Sequence, residues 1–286
     1  KSLYQNGYNI SVVFTQPPQK SHRGQKINKS PIQGISETLN IDYRTPKTLK
    51  DNHVEYEFLK ELNADLAIVC AYGQIIPENF LNLTKKGFVN IHASILPSWR
   101  GAAPIQRSIM NLDPETGISI MKIKKELDSG PVSNIYKIKI DQNQNAQEIS
   151  EKLSALAAEK ILDNVDDILE DKAKFIDQDH SKATYAKKID KEESRIDWDE
   201  DASKIIGKIN GLFPSPGASF SFNGERYKIL KAEIGNGIGQ VGEIISNQLE
   251  VACNKNQSIK ILEIQRQGKR PQKISEFMLG SQIKKG

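Results

Sequence analysis

The sequence has 286 residues, of which 37% are hydrophobic and 27% are charged, and its formal net charge is +4 at pH 7. A chain of this length predicts two domains. Because no apolar run approaches the roughly 18 residues of a membrane-spanning helix, we expect a soluble protein without a membrane partner. The two cysteines, Cys70 and Cys253, are far apart and lack metal-ligand spacing. They predict reduced thiols in a cytoplasmic protein and no metal site.

The small net charge conceals an uneven distribution along the chain. Residues 141–200 contain 9 Lys and Arg against 17 Asp and Glu, a net charge of −8, and the remainder carries +12. A positive excess of this kind suits a polyanionic partner, although charged runs commonly do no more than solvate a surface. The composition alone leaves both interpretations open.

The first elements predict an alternation of strands and helices. Residues 10–15 are typical of a strand, and the cation-rich stretch 16–29 that follows is too long for an ordinary turn and predicts a functional or mobile loop. The next predicted elements are helical stretches at 35–39 and 54–62 around an extended segment at 42–46, and an apolar strand at 64–73. This order is the one expected of βαβ units.

The stretch Asn90–Gln106 contains the first candidate site. Gly87–Val89 predicts a buried strand, and Pro104 is suited to the first turn of a helix that runs to Leu112. Residues two apart on a strand share a face, so Asn90 and His92 should lie together near the strand's carboxyl end, where ligands bind in open α/β sheets. An amide donor and an imidazole at that position could stabilise an oxyanion and move a proton.

A carboxylate that could support His92 occurs further along the chain. Residues 117–123 predict another strand, and Asp128 lies in the turn that ends at Gly130 and Pro131. A carboxylate of this kind fixes a histidine tautomer and favours its charged form. Taken singly, Asn90 is more often a turn residue, His92 a structural histidine and Asp128 a turn cap, so the hypothesis depends on their occurring together.

The second half of the chain predicts a long helix, a linker and a small β domain. The expected elements are a strand at 132–140, a helix at 146–169, a linker at 181–200, a helix at 202–209 and strands at 218–222, 227–232, 242–246, 249–253 and 259–264. Gly237–Gly242 matches a dinucleotide-binding fingerprint on paper. No helix follows it and no βαβ unit contains it, so we interpret it as a flexible turn.

Together, Asn90–Gln106 and Leu127–Gly130 resemble the formyltetrahydrofolate-dependent formyltransferases. The continuation from Arg100 to Gln106 resembles, among them, the methionyl-tRNA formyltransferase family. Further matching segments are Val13–Pro17, Ala71–Pro77, Thr184–Lys188 and Arg195–Trp198. The resemblance implies an α/β fold in which a Rossmann-like, mostly parallel sheet precedes a small C-terminal β-barrel of OB-like type. It places a catalytic domain at 1–180, the linker at 181–200 and a tRNA-binding domain at 201–286.

Members of this family begin with a strand and a Gly-Thr-Pro turn. The sequence shows neither at its start, so we expect the first strand of the sheet to be missing from it. Loss of a central strand would leave neighbouring strand edges unpaired. Residues of that turn could also line the folate pocket.

The activity implied by the resemblance is transfer of a formyl group from 10-formyltetrahydrofolate to the amino group of initiator methionyl-tRNA, by a cytoplasmic monomer that needs no metal. The implied catalytic residues are Asn90, His92 and Asp128. The implied folate-binding residues are Ser94, Ile95, Leu96, Pro97, Tyr72, Gly73, Gln74 and Ile75. The implied tRNA-binding residues are Lys20, Arg23, Lys26, Arg266, Lys269 and Arg270.

Two other functions remain open from the sequence alone. Another enzyme that uses 10-formyltetrahydrofolate, acting on a sugar nucleotide or purine precursor or hydrolysing the folate, would need the same three catalytic residues. A non-catalytic RNA-binding protein would not need them. The run from Ala102 to Gln106, the basic stretch after Pro18 and the basic C-terminal segment favour the tRNA substrate.

Overall fold

A computed structural model describes residues 1–21, 26–281, 283 and 285. These residues form two compact units, each assembled from segments that are separate in the sequence. The first unit comprises Lys1–Pro97, Ile118–Tyr136 and Ser154–Ala183, and the second comprises Ser98–Gly117, Lys137–Leu153 and Thr184–Gly286. The predicted domain boundaries at 180 and 200 stay a prediction.

The described residues contain both helices and strands, as an α/β fold requires. The helices are α1 (Ser2–Gln5), α2 (Pro31–Thr38), α3 (His53–Leu62), α4 (Pro104–Met110), α5 (Ala146–Leu169), α6 (Ala202–Gly211) and α7 (Ile274–Leu279). The strands are β1 (Val13–Phe14), β2 (Gln19–Ser21), β3 (Lys26–Asn28), β4 (Tyr43–Arg44), β5 (Ala67–Val69), β6 (Phe88–His92), β7 (Arg100–Gly101), β8 (Glu115–Lys122), β9 (Val132–Lys139), β10 (Tyr185–Ala186), β11 (Ser219–Phe222), β12 (Glu225–Gly235), β13 (Glu250–Cys253), β14 (Gln257–Arg266) and β15 (Gln272–Lys273).

The first unit includes a parallel pair of short strands and most of a four-stranded sheet. β1 pairs in parallel with β4, and a four-stranded sheet has the order β5-β6-β8-β9. β5 and β6 are parallel, whereas β8 runs antiparallel to β6. Val89 of β6, Ile120 of β8 and Ile168 of α5 are at most 3% exposed and form one core cluster of this unit. Burial of these branched apolar side chains fixes the register of β6, because a slip of one residue would exchange its two faces.

The stretch predicted as a loop at 16–29 contains a β-hairpin, so that prediction was wrong for its two arms. β2 and β3 pair antiparallel, with Gln19 opposite Asn28. The hairpin was missed because backbone hydrogen bonds hold such a ribbon together and its side chains need not be apolar. At its base, the hydroxyls of Thr15 and Ser30 are 2.8 Å apart, and Ser30 Oγ also accepts a hydrogen bond from the backbone N–H of Gln33 at the start of α2.

The second unit contains an antiparallel sheet that curls around a buried core. β11, β12 and β14 are consecutive neighbours, and β14 pairs along its other edge with β13 and then with β15. The register of β12 against β14 shifts between Ile229 and Ala232, and irregularities of this kind bend a strand. The predicted C-terminal β domain is confirmed as this curled antiparallel sheet.

Individual elements of the second unit depart from the sequence prediction. The strand expected at 242–246 is reduced to an isolated bridge between Ile244 and Val251. The expected linker includes β10, which pairs in parallel with β7, and a 3-10 turn at Glu192–Ser194. β15 and α7 were not predicted.

Candidate active site

The site is built on the carboxyl end of β6. The apolar residues Phe88 and Val89 are buried and anchor the strand. The register pairs Asn90 with Val69 of β5 and with Met121 of β8, and it pairs His92 with Ser119 of β8. Since side chains alternate along a strand, Asn90 and His92 project from the same face, as the sequence predicts. Asn90 is half-buried and His92 is only 6% exposed, so both lie in a partly dehydrated environment.

Asp128 lies beside His92. The distance between Asp128 Oδ2 and His92 Nδ1 is 3.6 Å, and the two side chains are 15% and 6% exposed. This distance is slightly longer than a good hydrogen bond. A carboxylate facing Nδ1 favours the tautomer with a proton on that nitrogen, and it directs the other ring nitrogen, Nε2, away from the carboxylate. The predicted partners, 36 residues apart in sequence, are therefore brought together.

The loop that carries Asp128 is held by unusual backbone geometry. Asp128 has φ +47°, a left-handed conformation that aspartate tolerates better than most residues. At Gly130, an added Cβ would lie 1.9 Å from the carbonyl oxygen of Lys122, so no side chain fits there. The side-chain amide of Gln178 donates hydrogen bonds to the carbonyls of Asp128 at 2.8 Å and Gly130 at 2.7 Å. These contacts fix the position from which the carboxylate reaches His92.

The segment 94–97 forms a tight turn after β6, held by one serine. Ser119 Oγ donates to the carbonyl of Ser94 at 2.7 Å and accepts from the backbone N–H of Leu96 at 3.1 Å. Ser94 and Leu96 are buried, whereas Ile95 and Pro97 are half-buried. The side chain of Leu96 therefore belongs to the core, and Ile95, Pro97 and backbone groups are left to contact a ligand.

The segment 72–75 leaves the carboxyl end of β5, the parallel neighbour of β6. The ring of Tyr72 packs in the cluster around Phe80, and its hydroxyl is buried without a hydrogen-bond partner among the described residues. Burial, together with the nearby charge of Glu55, raises the pKa of Tyr72 to about 12. Ile75 is 88% exposed. Because Tyr72 points into the core, Ile75 and the backbone are the parts of this segment open to a ligand.

Two interactions fix this segment from outside. The side-chain amide of Gln16 donates to the carbonyl of Tyr72 at 2.7 Å, and that of Gln74 donates to the carbonyl of Pro46 at 2.9 Å. Gly73 has φ +76°, and an added Cβ would lie 3.2 Å from Gln16 Nε2. The backbone of this segment is therefore held partly by Gln16, a contact that the sequence pattern did not indicate.

The cations predicted to bind tRNA lie in both units. Lys20 lies in β2 and Lys26 lies in β3. Arg23 lies outside the described residues. Lys269 and Arg270 are exposed in the turn between β14 and β15. Arg266, also exposed, hydrogen-bonds to Glu225, and this carboxylate raises the pKa of the guanidinium. Glu225 therefore offsets part of this positive charge, which the sequence alone did not indicate.

Two further features concern the described residues as a whole. No group of three or more His, Cys, Asp or Glu side chains within them is arranged to hold a metal ion. No helix in the described part of the chain is long and apolar enough to cross a membrane.

Ser119 and Gln178 are the site residues that sequence reasoning missed. The sequence did contain an indication of Ser119, because this polar residue is flanked by Ile118 and Ile120 in a strand whose interior is buried throughout. A serine in that position needs a hydrogen-bond partner, which here is the turn after β6. Gln178 carried no signal, since a glutamine in a polar stretch is ordinarily exposed.

Comparison with known proteins gives matches along nearly the whole chain. Residues 1–165 match the formyl transferase family model, and residues 188–282 match the model of the formyl transferase C-terminal domain. The methionyl-tRNA formyltransferase of Pelagibacter ubique is 66% identical over 286 residues, covering 100% of this chain and 92% of that protein. The methionyl-tRNA formyltransferase of Mesorhizobium japonicum is 37% identical over 297 residues, covering 100% of this chain and 93% of that protein.

A solved structure with a similar fold is the N-formyltransferase from Helicobacter canadensis in complex with folinic acid and dTDP-3-aminofucose. Its TM-score is 0.67 at 17% sequence identity, and the match covers 93% of each chain. At this identity the likeness concerns the fold alone.

Proposed function

The chain belongs to the methionyl-tRNA formyltransferase family, and we propose that it transfers the formyl group of 10-formyltetrahydrofolate to the α-amino group of initiator methionyl-tRNA, in support of translation initiation. The observation that carries the proposal at the level of chemistry is the 3.6 Å approach of Asp128 to His92 at the carboxyl end of β6, two residues after Asn90. This is the position where open α/β sheets bind ligands. A charged tRNA as acceptor also implies that the protein acts in the cytoplasm.

The reaction requires stabilisation of one negative oxygen. The neutral α-amine attacks the formyl carbon, forming a C–N bond and a tetrahedral oxyanion. Collapse of this intermediate breaks the bond from the formyl carbon to N10 of the folate. N10 gains a proton and the attacking nitrogen loses one, so protons and charge balance. The groups at the site must therefore donate hydrogen bonds to the oxyanion and exchange protons.

The roles we assign follow from where the side chains lie. His92 Nδ1 faces Asp128, and we assign the other ring nitrogen, Nε2, as the donor to the formyl oxygen. The side-chain amide of Asn90, on the same strand face, supplies a second donor. Asp128 orients the ring, and its negative charge can stabilise positive charge that develops on the ring during proton transfer. The low exposure of His92 and Asp128 strengthens these interactions relative to those in water.

The folate is proposed to bind across the carboxyl ends of β5 and β6. The half-buried side chains of Ile95 and Pro97 and the exposed side chain of Ile75 supply apolar surface for a flat ring. Ser94, Leu96, Tyr72, Gly73 and Gln74 contribute through the backbone, which Ser119, Gln16 and Pro46 hold in place. A fixed backbone can present donors and acceptors to the edge of the pterin ring.

The tRNA is proposed to contact two basic regions. The first region includes Lys20 of β2 and Lys26 of β3, and Arg23, which follows β2 in the sequence, is assigned to the acceptor arm. In the second unit, Arg266, Lys269 and Arg270 are assigned to phosphates, where cations bind without reading sequence. The pairing of Arg266 with Glu225 makes Lys269 and Arg270 the stronger candidates.

Product analysis tests the proposed function. The full-length protein is incubated with 10-formyltetrahydrofolate carrying a labelled formyl group, together with methionyl-tRNA, an amino-sugar nucleotide or water alone. The expected result is labelled N-formylmethionine after hydrolysis of the tRNA ester, with slow turnover in the other two reactions. Formylation of the amino sugar in preference to the tRNA, or release of free formate, would replace the proposal with one of the alternative folate enzymes.

A further inference from the structure

Gln178 is a buried glutamine beside the loop that carries Asp128. Its side chain is 8% exposed, and it lies in the first unit with His92 and Asp128. The antiparallel bridge between Val132 and Ile176, with hydrogen bonds of 2.8 and 2.9 Å, brings residues 176–178 alongside the end of this loop. The backbone pairing of Ile176 therefore fixes the position of the main chain at Gln178, two residues later.

The side chain of Gln178 binds both ends of a three-residue segment. Its Nε2 donates to the carbonyl oxygen of Asp128 at 2.8 Å and to that of Gly130 at 2.7 Å. Because both partners are carbonyl oxygens, the amide must present its nitrogen to them, and the orientation of the group is not ambiguous. Two hydrogen bonds from one nitrogen hold the two peptide groups at a fixed separation.

The segment needs such a constraint, since its conformation is costly. Asp128 adopts φ +47°, which is disfavoured for a residue with a side chain. Gly130 approaches the backbone of Lys122 so closely that any side chain would collide with it. If Asp128 relaxed to negative φ, its carboxylate would leave the position 3.6 Å from His92 Nδ1. The contact between Asp128 and His92 therefore depends on this constraint.

We propose that Gln178 is a positioning residue for formyl transfer: its amide holds Asp128 in the left-handed conformation from which the carboxylate orients His92. Gln178 itself has no contact with the reacting atoms in this scheme. The inference rests on the proposed function for its effect on turnover, but its effect on His92 is independent of any substrate. A misplacement of about 1 Å in such a site can cost as much as ~100-fold in rate.

The decisive experiment compares Gln178→Met with a matched control. Gln178→Met keeps the length of the side chain and removes both hydrogen bonds. The control is Asn164→Leu, which removes an amide that is 4% exposed and donates two 2.7 Å bonds, to Tyr136 Oη and the carbonyl of Lys160, in the same unit. Gln178→Glu is made in parallel as a second variant that keeps the shape but cannot donate to two carbonyls at neutral pH.

Each substitution is made in the wild-type and Asp128→Asn backgrounds. We expect Gln178→Met to lower kcat by ~10–100-fold, with little change in KM for either substrate, and to have little further effect once Asp128 is Asn. Asn164→Leu should leave kcat near wild type even if it lowers the melting temperature. An equal loss of kcat in both backgrounds would assign Gln178 a general structural role and overturn the proposal. Unchanged turnover in folded Gln178→Met and Gln178→Glu would also overturn the proposal.

A spectroscopic readout separates this inference from the proposed function. In protein with 15N-labelled histidine, the ring-nitrogen shifts of His92 report which nitrogen carries the proton. We expect wild type and Asn164→Leu to give the same His92 pattern, and Gln178→Met to move toward the pattern of Asp128→Asn. A wild-type protein that failed to formylate methionyl-tRNA would end the proposed function, while this comparison would still decide the role of Gln178. An unchanged His92 pattern in Gln178→Met would overturn the proposed role of Gln178.

Discussion

Asn90 provides the simplest test at the scale of single residues. Replacement by Ala removes an oxyanion donor from a half-buried strand position without disturbing the buried neighbours Phe88 and Val89. Loss of one such donor commonly costs ~10²–10³ in rate, so kcat should fall by about that factor. The melting temperature and folate binding, measured by thermal unfolding and fluorescence titration, should change little. Near-normal turnover in the folded variant would remove Asn90 from the mechanism.

Ser119 is the corresponding test for the turn that is proposed to bind folate. Ser119→Ala removes the hydrogen bonds to the carbonyl of Ser94 and the N–H of Leu96, both buried, at a cost of ~1–3 kcal/mol in the free energy of unfolding. A loosened turn should also raise KM for 10-formyltetrahydrofolate.

The control is Ser36→Ala, at a residue that is 2% exposed, which removes the 3.0 Å bond from Ser36 Oγ to the carbonyl of Ile32 within α2. It should leave that KM unchanged. Equal KM values in the two variants would show that Ser119 serves stability only.

Site residues that lie in a recognisable local pattern, such as strand alternation or a turn, were predicted from the sequence. Those that reach the site through a tertiary contact were missed. Asn90 and His92 were recognisable because period-two alternation puts them on one strand face. The carboxylate at Asp128 was recognisable because Gly130 and Pro131 end its turn. Gln178 reaches the same turn from 50 residues away, and no local periodicity encodes that contact. Tyr72 illustrates the same limit, since the sequence could not predict that its ring turns into the core.

At the scale of elements, two helical glycines respond oppositely to the same change. In α6, an added Cβ on Gly211 would lie 2.6 Å from Met110 Cγ and 2.9 Å from the carbonyl oxygen of Gln106. Gly211→Ala should therefore force α6 away from α4 and lower the free energy of unfolding by ~1–3 kcal/mol. In α2, an added Cβ on Gly34 meets nothing within 4 Å. Gly34→Ala should raise the free energy of unfolding by up to ~1 kcal/mol, because alanine favours a helix more than glycine does.

Urea unfolding of both variants beside the wild type checks this pair. A stabilising Gly211→Ala would contradict the close approach of α4 and α6. A destabilising Gly34→Ala would contradict the open environment on that side of α2.

Elements with strong periodicity were predicted well, and elements held by pairing alone were not. The helix at 146–169 was predicted with its observed bounds, since Ile149, Leu153 and Ile161 recur on one face and are buried. The β2–β3 hairpin was missed because its strand residues are polar except for Ile27, which is exposed. The strand expected at 242–246 survives only as a bridge, because its neighbours 236–242 form a loop pinned elsewhere: Gly237 N donates to Glu250 Oε1 and Ser258 Oγ, each at 2.9 Å.

At the scale of the whole molecule, the charge distribution predicts how tRNA binding depends on salt. The residues outside 141–200 carry a net charge of +12. Binding of initiator methionyl-tRNA should weaken as salt rises. The slope of log K against log salt should fall by ~1 for each phosphate contact removed in Lys269→Ala or Arg270→Ala. Lys152→Ala, at an exposed position within the acidic stretch, is the matched control and should leave the slope unchanged.

Arg23→Ala should reduce formylation of methionyl-tRNA much more than it reduces folate binding, because its proposed partner is the acceptor arm. Filter binding of the tRNA and fluorescence titration of the folate measure the two effects separately. Equal effects on both substrates, or unchanged formylation, would contradict the assignment of the hairpin to tRNA.

The central claim is that a carboxylate, an imidazole and an amide brought together at the end of β6 carry out formyl transfer to methionyl-tRNA. The most direct measurement is the single-turnover rate at which labelled formyl passes from saturating 10-formyltetrahydrofolate to the methionine nitrogen, in wild type and in Asp128→Asn. We predict rapid transfer in wild type and a rate at least ~10²-fold lower in the folded variant, with both substrates still bound. Equal rates in the two proteins would contradict the account.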